Sequence, residues 1–195
     1  KLEGEELSIL VLTDGKKIIP LASARDHKRA YDHDRGPNTG GMGAFSPSMK
    51  IPESEIGEII DIAVRPIIEG LARDGMPYRG VLYAGIMMTK DGPFVLEYNC
   101  RFGDPETEAI LPRLKSDLLP VMVQIANGCL DTESLEWYDK ACITVVMASG
   151  GYPGSYKKGF PIRGLETVKG QADVAVFHAG TAFNEQKQIV TAGGR

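Results

Sequence analysis

The stretch Phe94–Glu108, FVLEYNCRFGDPETE, constrains this chain more than any other. It begins as an apolar strand and ends as a polar turn leading into a helix. A strand sends alternate side chains to opposite faces. The alternation predicts Phe94, Leu96 and Tyr98 on one face and Val95, Glu97 and Asn99 on the other. A carboxylate and an amide oxygen then stand side by side at the strand's end. Arg101 and the turn Gly103-Asp104-Pro105-Glu106 follow at once. Hard oxygen ligands, a cation able to grip phosphate and a tight turn in so short a span point to a Mg²⁺-nucleotide site. The same spacing also fits a sheet-edge strand with a solvated polar face, and spacing alone does not choose.

The strand before it, Val81–Met88, reaches it through the turn Lys90-Asp91-Gly92-Pro93, so the central stretch reads as the second arm of a hairpin. Met87 and Met88 read as core filler. An earlier hairpin is expected from Leu7–Leu12 and Lys17–Leu21 around Thr13-Asp14-Gly15-Lys16. Between these hairpins, Pro52 with Glu53 and Glu55 opens a helix. Its apolar face is Ile56, Ile59, Ile60, Ala63, Ile67 and Leu71, and Pro66 is expected to kink it. Pro105 starts another helix. Ser116 is the expected cap of a helix over 117–127, with Gly128 just past its end.

Residues 24–48 have neither helical nor strand period. They carry the basic run Arg25-Asp26-His27-Lys28-Arg29 and the glycine-rich run Gly36-Pro37-Asn38-Thr39-Gly40-Gly41-Met42-Gly43. So long an irregular segment is either an ordered surface loop or a functional one. It is not a P-loop, because no Gly-Lys-Ser/Thr follows, and its spacing is not that of a dinucleotide fingerprint.

After Gly128 the character shifts. Residues 131–140 read as a polar linker, and 141–195 as a β-rich module with strands over 141–148, 174–178 and 188–191. His178 reads as a structural histidine in its strand, without a metal partner nearby. The domain expectation is therefore 1–130, a linker over 131–140, and 141–195.

Charge and cysteine usage narrow the function classes. The formal net charge is −4, which offers no electrostatic case for nucleic acid or an anionic membrane. Cys100, Cys129 and Cys142 are widely spaced and lack zinc spacing, which argues for reduced thiols and a cytoplasmic protein. No apolar run is long enough for a membrane helix. The absence of an initiator Met and the final turn-like Thr191-Ala192-Gly193-Gly194-Arg195 suggest a piece of a longer polypeptide.

Four blocks, in order, carry a resemblance: LEGEE at 2–6; RDHKR with GPNTGGMGAFSP within 25–47; VLEYNCRFGDPETE at 95–108; and VVMASGGYPGSY with VFHAGT within 145–181. Together they resemble the phosphoribosylamine–glycine ligase family, also called glycinamide ribonucleotide synthetase, over essentially the whole chain. The resemblance implies an α+β ATP-grasp fold, here its C-terminal half, followed by a truncated β-rich module. It implies an ATP-dependent carbon–nitrogen ligase of purine biosynthesis that joins glycine to 5-phosphoribosylamine. ATP is the co-substrate and Mg²⁺ or Mn²⁺ the metal. The glycine carboxylate would attack the γ-phosphate to form a glycyl phosphate, which the amine then opens.

Residue by residue, the resemblance makes Glu97 and Asn99 the metal ligands and Arg101 the group that stabilises the transferring phosphoryl. Leu2 would offer its backbone to adenine. Glu6, or Glu5 beside it, would hold the ribose hydroxyls. Asn38, Thr39, Gly40 and Gly41 would line the pocket for glycine and phosphoribosylamine. Asp104 and Glu106 would orient the amine or support the groups that do. Lys28 would contact phosphate, its alternative being a solvated surface lysine.

Two departures accompany this. Many ATP-grasp enzymes carry a further acidic ligand on the preceding strand, and Val81-Leu82-Tyr83-Ala84-Gly85-Ile86 has none. The family's N-terminal domain and first ATP-grasp half are also absent. The fragment alone is therefore expected to be inactive. Its parent is either monofunctional or fused to other purine-pathway domains. Competing readings are another ATP-grasp ligase or carboxylase, and a non-catalytic Mg-nucleotide-binding module.

Overall fold

The computed structural model of the chain describes residues 2–48 and 51–195. The chain folds into two compact units. The first comprises Lys1–His27 and Gly43–Thr144, the second Lys28–Met42 and Val145–Arg195.

The first unit is built on an antiparallel sheet. Strand β1 (Glu5–Thr13) turns at Asp14 into β2 (Ile18–Pro20), as the turn residues predict. The Asp14 carboxylate makes that turn. Its Oδ1 accepts from the Lys16 and Lys17 amides at 3.0 and 2.9 Å, and its Oδ2 accepts from the Leu130 amide at 3.0 Å. Short pieces follow where no period was legible: β3 (Arg25–Asp26), β4 (Arg29–Tyr31), β5 (Arg35–Asn38) and β6 (Gly43–Ser46). Of these, β3 and β6 pair within the first unit.

Helix α1 (Glu53–Ala63) and helix α2 (Arg65–Arg73) replace the single kinked helix. Proline lacks an amide hydrogen, so Pro66 fits only the first turn of a new helix. The sheet then completes with β7 (Gly80–Thr89) and β8 (Gly92–Asn99), in the order β2-β1-β7-β8.

Both sheet faces are covered. Leu7, Ile9, Val11, Leu82, Ala84 and Ile86 meet Ile56, Ile59, Ile60, Ala63, Val64 and Ile68 of the helix pair. On the other face Leu10, Leu12, Val81 and Tyr83 pack with Ile110, Val121 and Ile125. Period-two alternation along β1 sorts its side chains between these two cores. Burying one such aliphatic side chain stabilises the fold by roughly 1.5–3 kcal/mol.

Helix α3 (Glu106–Ile110) supplies Ile110, and helix α4 (Leu118–Asn127) supplies Val121 and Ile125. The cap of α4 is Asp117, whose side chain accepts from the Leu119 amide. The expected cap, Ser116, instead accepts from the Glu136 amide at 2.8 Å. Gly128 ends α4 with φ 69°, the left-handed value its lack of a Cβ permits. Residues 131–140, read as a linker, instead belong to the first unit. Leu135 is buried there, Leu114 and Trp137 form a β-bridge, and the buried Arg113 donates to the Lys140 carbonyl at 2.6 Å and to Ser46 Oγ at 2.7 Å. Strand β9 (Cys142–Val145) is shorter than the expected 141–148.

In the second unit, β4 and β5 form a hairpin, and so do β10 (Thr181–Phe183) and β11 (Ile189–Thr191). A one-turn helix, α5 (Leu165–Val168), precedes β10. The strand expected over 174–178 does not form. Val174, Val176 and Phe177 are exposed, and a strand needs a hydrogen-bonding neighbour that propensity cannot supply. His178 therefore lies outside any strand, its Nδ1 at 3.4 Å from Thr181 Oγ1. No helix among the described residues is long and apolar enough to cross a membrane.

Candidate functional site

The alternation expected along β8 is broken by a one-residue bulge. Gly85 of β7 pairs with Glu97, but the next residue, Ile86, pairs with Val95. Leu96 is the extra residue between them. The bulge turns Val95 to the face opposite Glu97, so the expected grouping of Val95 with Glu97 and Asn99 does not hold. Glu97 and Asn99 do share a face, opposite Gly85 and Tyr83. Tyr98 faces the helix pair, where its hydroxyl donates to the Ala63 carbonyl.

The face carrying Glu97 and Asn99 extends across the sheet. Glu6 pairs with Met87, Ser8 with Gly85 and Leu10 with Tyr83. Glu6, Ser8, Gly85, Tyr83, Glu97 and Asn99 therefore stand on one side. At its apolar end this side is the core around Leu10. At its polar end it is a row of oxygens.

Beneath that row lies a buried chain of hydroxyls. Ser8 Oγ donates to Glu106 Oε1 at 2.8 Å and lies 3.1 Å from Tyr83 Oη. A serine hydroxyl has one hydrogen to give. With that hydrogen committed to the carboxylate, Tyr83 donates to Ser8. Glu106 is 3 % exposed, so the turn that carries it is clamped onto β1. Sequence reasoning reached Glu106 but missed Ser8, Tyr83 and Gly85. Two signals were available: a serine inside the apolar run of β1, and a glycine inside the apolar run of β7. An interior strand glycine marks a bulge or a close approach.

The turn after β8 is exposed on its outer side. Arg101 donates to the Phe102 carbonyl at 2.8 Å and stands 3.5 Å from Asn99 Oδ1. Asp104 is exposed as well. The expected nucleotide carboxylates separate. Glu5 takes an ion pair from Arg25 at 3.2 Å, whereas Glu6 lies on the face of Glu97. Leu2 is 40 % exposed ahead of β1.

Lys28, Asn38, Thr39, Gly40 and Gly41 belong to the second unit. There the glycine-rich run is folded back on itself. The Thr39 amide and hydroxyl both donate to the Lys28 carbonyl, at 2.7 and 2.8 Å, and the Gly41 amide donates to Thr39 Oγ1 at 3.0 Å. Tyr152 Oη accepts from the Gly40 amide at 3.1 Å, and Arg195 donates to the Gly41 carbonyl at 2.8 Å. A Cβ on Gly40 would stand 2.8 Å from an Arg195 guanidinium nitrogen, so a side chain there would displace the guanidinium. Tyr152 and Arg195 were not singled out from sequence.

Residues 1–107 match the model of the phosphoribosylglycinamide synthetase ATP-grasp (A) domain, and residues 142–195 match that of the C domain. The chain belongs to the phosphoribosylglycinamide synthetase family. Its fold is accordingly α+β and of ATP-grasp type. It is 54 % identical over its full length to the trifunctional purine biosynthetic protein adenosine-3 of Gallus gallus, of which it covers 19 %. It is 50 % identical to the phosphoribosylamine–glycine ligase of Caldanaerobacter subterraneus, covering 46 % of that protein. Among solved structures it is similar to phosphoribosylamine–glycine ligase from Thermotoga maritima, with a TM-score of 0.83 at 36 % identity, over all of this chain and 47 % of that one. The chain thus spans less than half the length of these relatives.

Proposed function

We propose that this chain is the catalytic-side portion of a phosphoribosylamine–glycine ligase. The parent joins glycine to 5-phosphoribosylamine with ATP, giving glycinamide ribonucleotide, ADP and phosphate. The observation that carries the reading is the common face of Glu6, Glu97 and Asn99 on a sheet of the family's fold.

The donors fit a hard divalent cation. Glu97 offers an exposed carboxylate and Asn99 an amide oxygen two residues on. Among the described residues no group of three or more His, Cys, Asp or Glu could hold a metal, so phosphate oxygens and water would complete the shell. Mg²⁺ or Mn²⁺ there would neutralise charge on the transferring phosphoryl group. Arg101, beside Asn99, adds a guanidinium to the same end of the strand. Glu6 is the better of the two adjacent acids for ribose hydroxyls, because it stands on the face of Glu97 and Asn99.

In the second unit, Asn38, Thr39, Gly40 and Gly41 would bind glycine and phosphoribosylamine, with Lys28 as a phosphate contact. Asp104 would orient the amine from the turn after β8. The backbone of Leu2 would meet adenine. We assign residues 1–130 to the grasp and 141–195 to the C-terminal module. Similarity to the trifunctional protein supports a parent that carries further purine-biosynthetic domains.

The complete parent protein should form ADP only when glycine and phosphoribosylamine are both supplied. ADP formation indifferent to glycine would sink the reading. A different amine acceptor that works equally well would point to another ATP-grasp ligase. The isolated chain should show no turnover.

A further inference from the structure

The row across Ser8, Gly85 and Glu97 contains a gap at its centre. Gly85 carries no side chain, and its two neighbours close over it. Glu97 Cγ lies 3.3 Å from the point a Gly85 Cβ would occupy. From the next row, Tyr83 Cε1 and Oη lie 3.4 and 3.7 Å from the same point. The stem of Glu97 and the ring of Tyr83 therefore both border the space above the glycine. Tyr83 is held in turn by Ser8, and Ser8 by the buried Glu106.

We propose that Gly85 and the hydrogen-bond chain Tyr83–Ser8–Glu106 position the Glu97 carboxylate for its divalent cation. The inference rests on the metal reading of Glu97 above. Exposed carboxylates sample several rotamers, and holding one costs side-chain entropy. Here the backbone surface of Gly85 gives the stem a seat, and the Tyr83 ring gives it a wall. Serine and glutamate prevent the ring from turning away. Glu106 further ties the turn that follows Asn99 to β1 through Ser8, and its carboxylate lies close against Gly103, where a Cβ would stand 2.5 Å from Oε2. One buried network thus braces Glu97 from below and the turn after Asn99 from its inner side. The four residues act through Glu97, and none of them needs to touch the ion.

The test uses Mn²⁺ binding to the complete parent protein with ADP, followed by electron paramagnetic resonance. Wild type, E97Q, G85A, S8A and Y83F are compared, with circular dichroism melts recorded for each. E97Q tests the metal reading itself: unchanged Mn²⁺ affinity in E97Q removes that reading and the inference with it. If E97Q loses the ion, the other variants test the inference alone. A group that orients a metal ligand is worth about tenfold or more in metal affinity. G85A, S8A and Y83F should each weaken Mn²⁺ by about that factor with far-ultraviolet spectra unchanged. Affinities within twofold of wild type for all three would overturn the proposal. If G85A fails to fold, S8A and Y83F decide, since each removes only a hydroxyl.

Discussion

Ser8 and Glu106 lie 98 positions apart, yet the Ser8 hydroxyl donates to the Glu106 carboxylate at 2.8 Å inside the first unit. Both are almost fully buried. Removing Glu106 takes away the acceptor of the Ser8 hydrogen and leaves Ser8 only its bond with Tyr83 among the contacts described. Glu106→Ala should destabilise the protein by about 1–3 kcal/mol, the cost of a buried unsatisfied polar group. Glu106→Gln retains an acceptor oxygen and should cost less. Thermal denaturation of both variants measures the difference.

Glu97 carries no comparable structural duty, since its side chain is exposed at the strand end. Glu97→Gln in the parent protein should therefore melt within about 0.5 kcal/mol of wild type, as surface substitutions do. Its turnover should fall by at least about a hundredfold, beyond what orienting groups typically cost. The KM for glycine should move far less, because glycine is assigned to other residues. Steady-state kinetics over a Mg²⁺ titration separates these effects, and normal turnover with unchanged Mg²⁺ dependence would refute the metal assignment.

Asp14 gives a pH dependence. Burial would raise its pKa, but hydrogen bonds from the Lys17, Leu130 and Lys16 amides outweigh that and hold it below the usual 3.8. A carboxyl with a depressed folded pKa adds stability above its unfolded pKa and loses it as pH falls through the folded value. The stability gap between wild type and Asp14→Asn should be full at neutral pH. It should narrow as pH drops below the ordinary carboxylate range. Melting temperatures of the pair from pH 7 down to pH 3 read it directly.

The three thiols should separate in reactivity. Cys100 and Cys129 are exposed, whereas Cys142 is half-buried with its Sγ 3.8 Å from the Glu108 carbonyl. Burial pushes the Cys142 thiol up, against a smaller opposing effect of Arg113. The thiolate is the reactive species, so Cys142 should label last with a disulfide reagent at pH 8. Mass spectrometry over a labelling time course identifies the order. Simultaneous labelling of all three would contradict the burial.

Much of this molecule is legible in the order of its residues. Apolar alternation in β1 and helical spacing in α1 set out the two core faces, because those periods follow from backbone geometry alone. The turn at Asp14 and the end of α4 at Gly128 are local chemistry. The pairing of Glu97 with Asn99 follows from their separation by two in a strand. The bulge at Leu96 does not follow, since it depends on how β8 pairs with β7. It left Glu97 and Asn99 together but turned Val95 away. The ion pair at Glu5 required Arg25, twenty positions on, to reach it. Glu106 announced itself only as a polar turn residue. Its burial beneath the sheet, and the seat that Gly85 offers Glu97, arise where three strands and a turn converge. Long-range contacts of that kind leave no period in a sequence, so tertiary structure alone decides them.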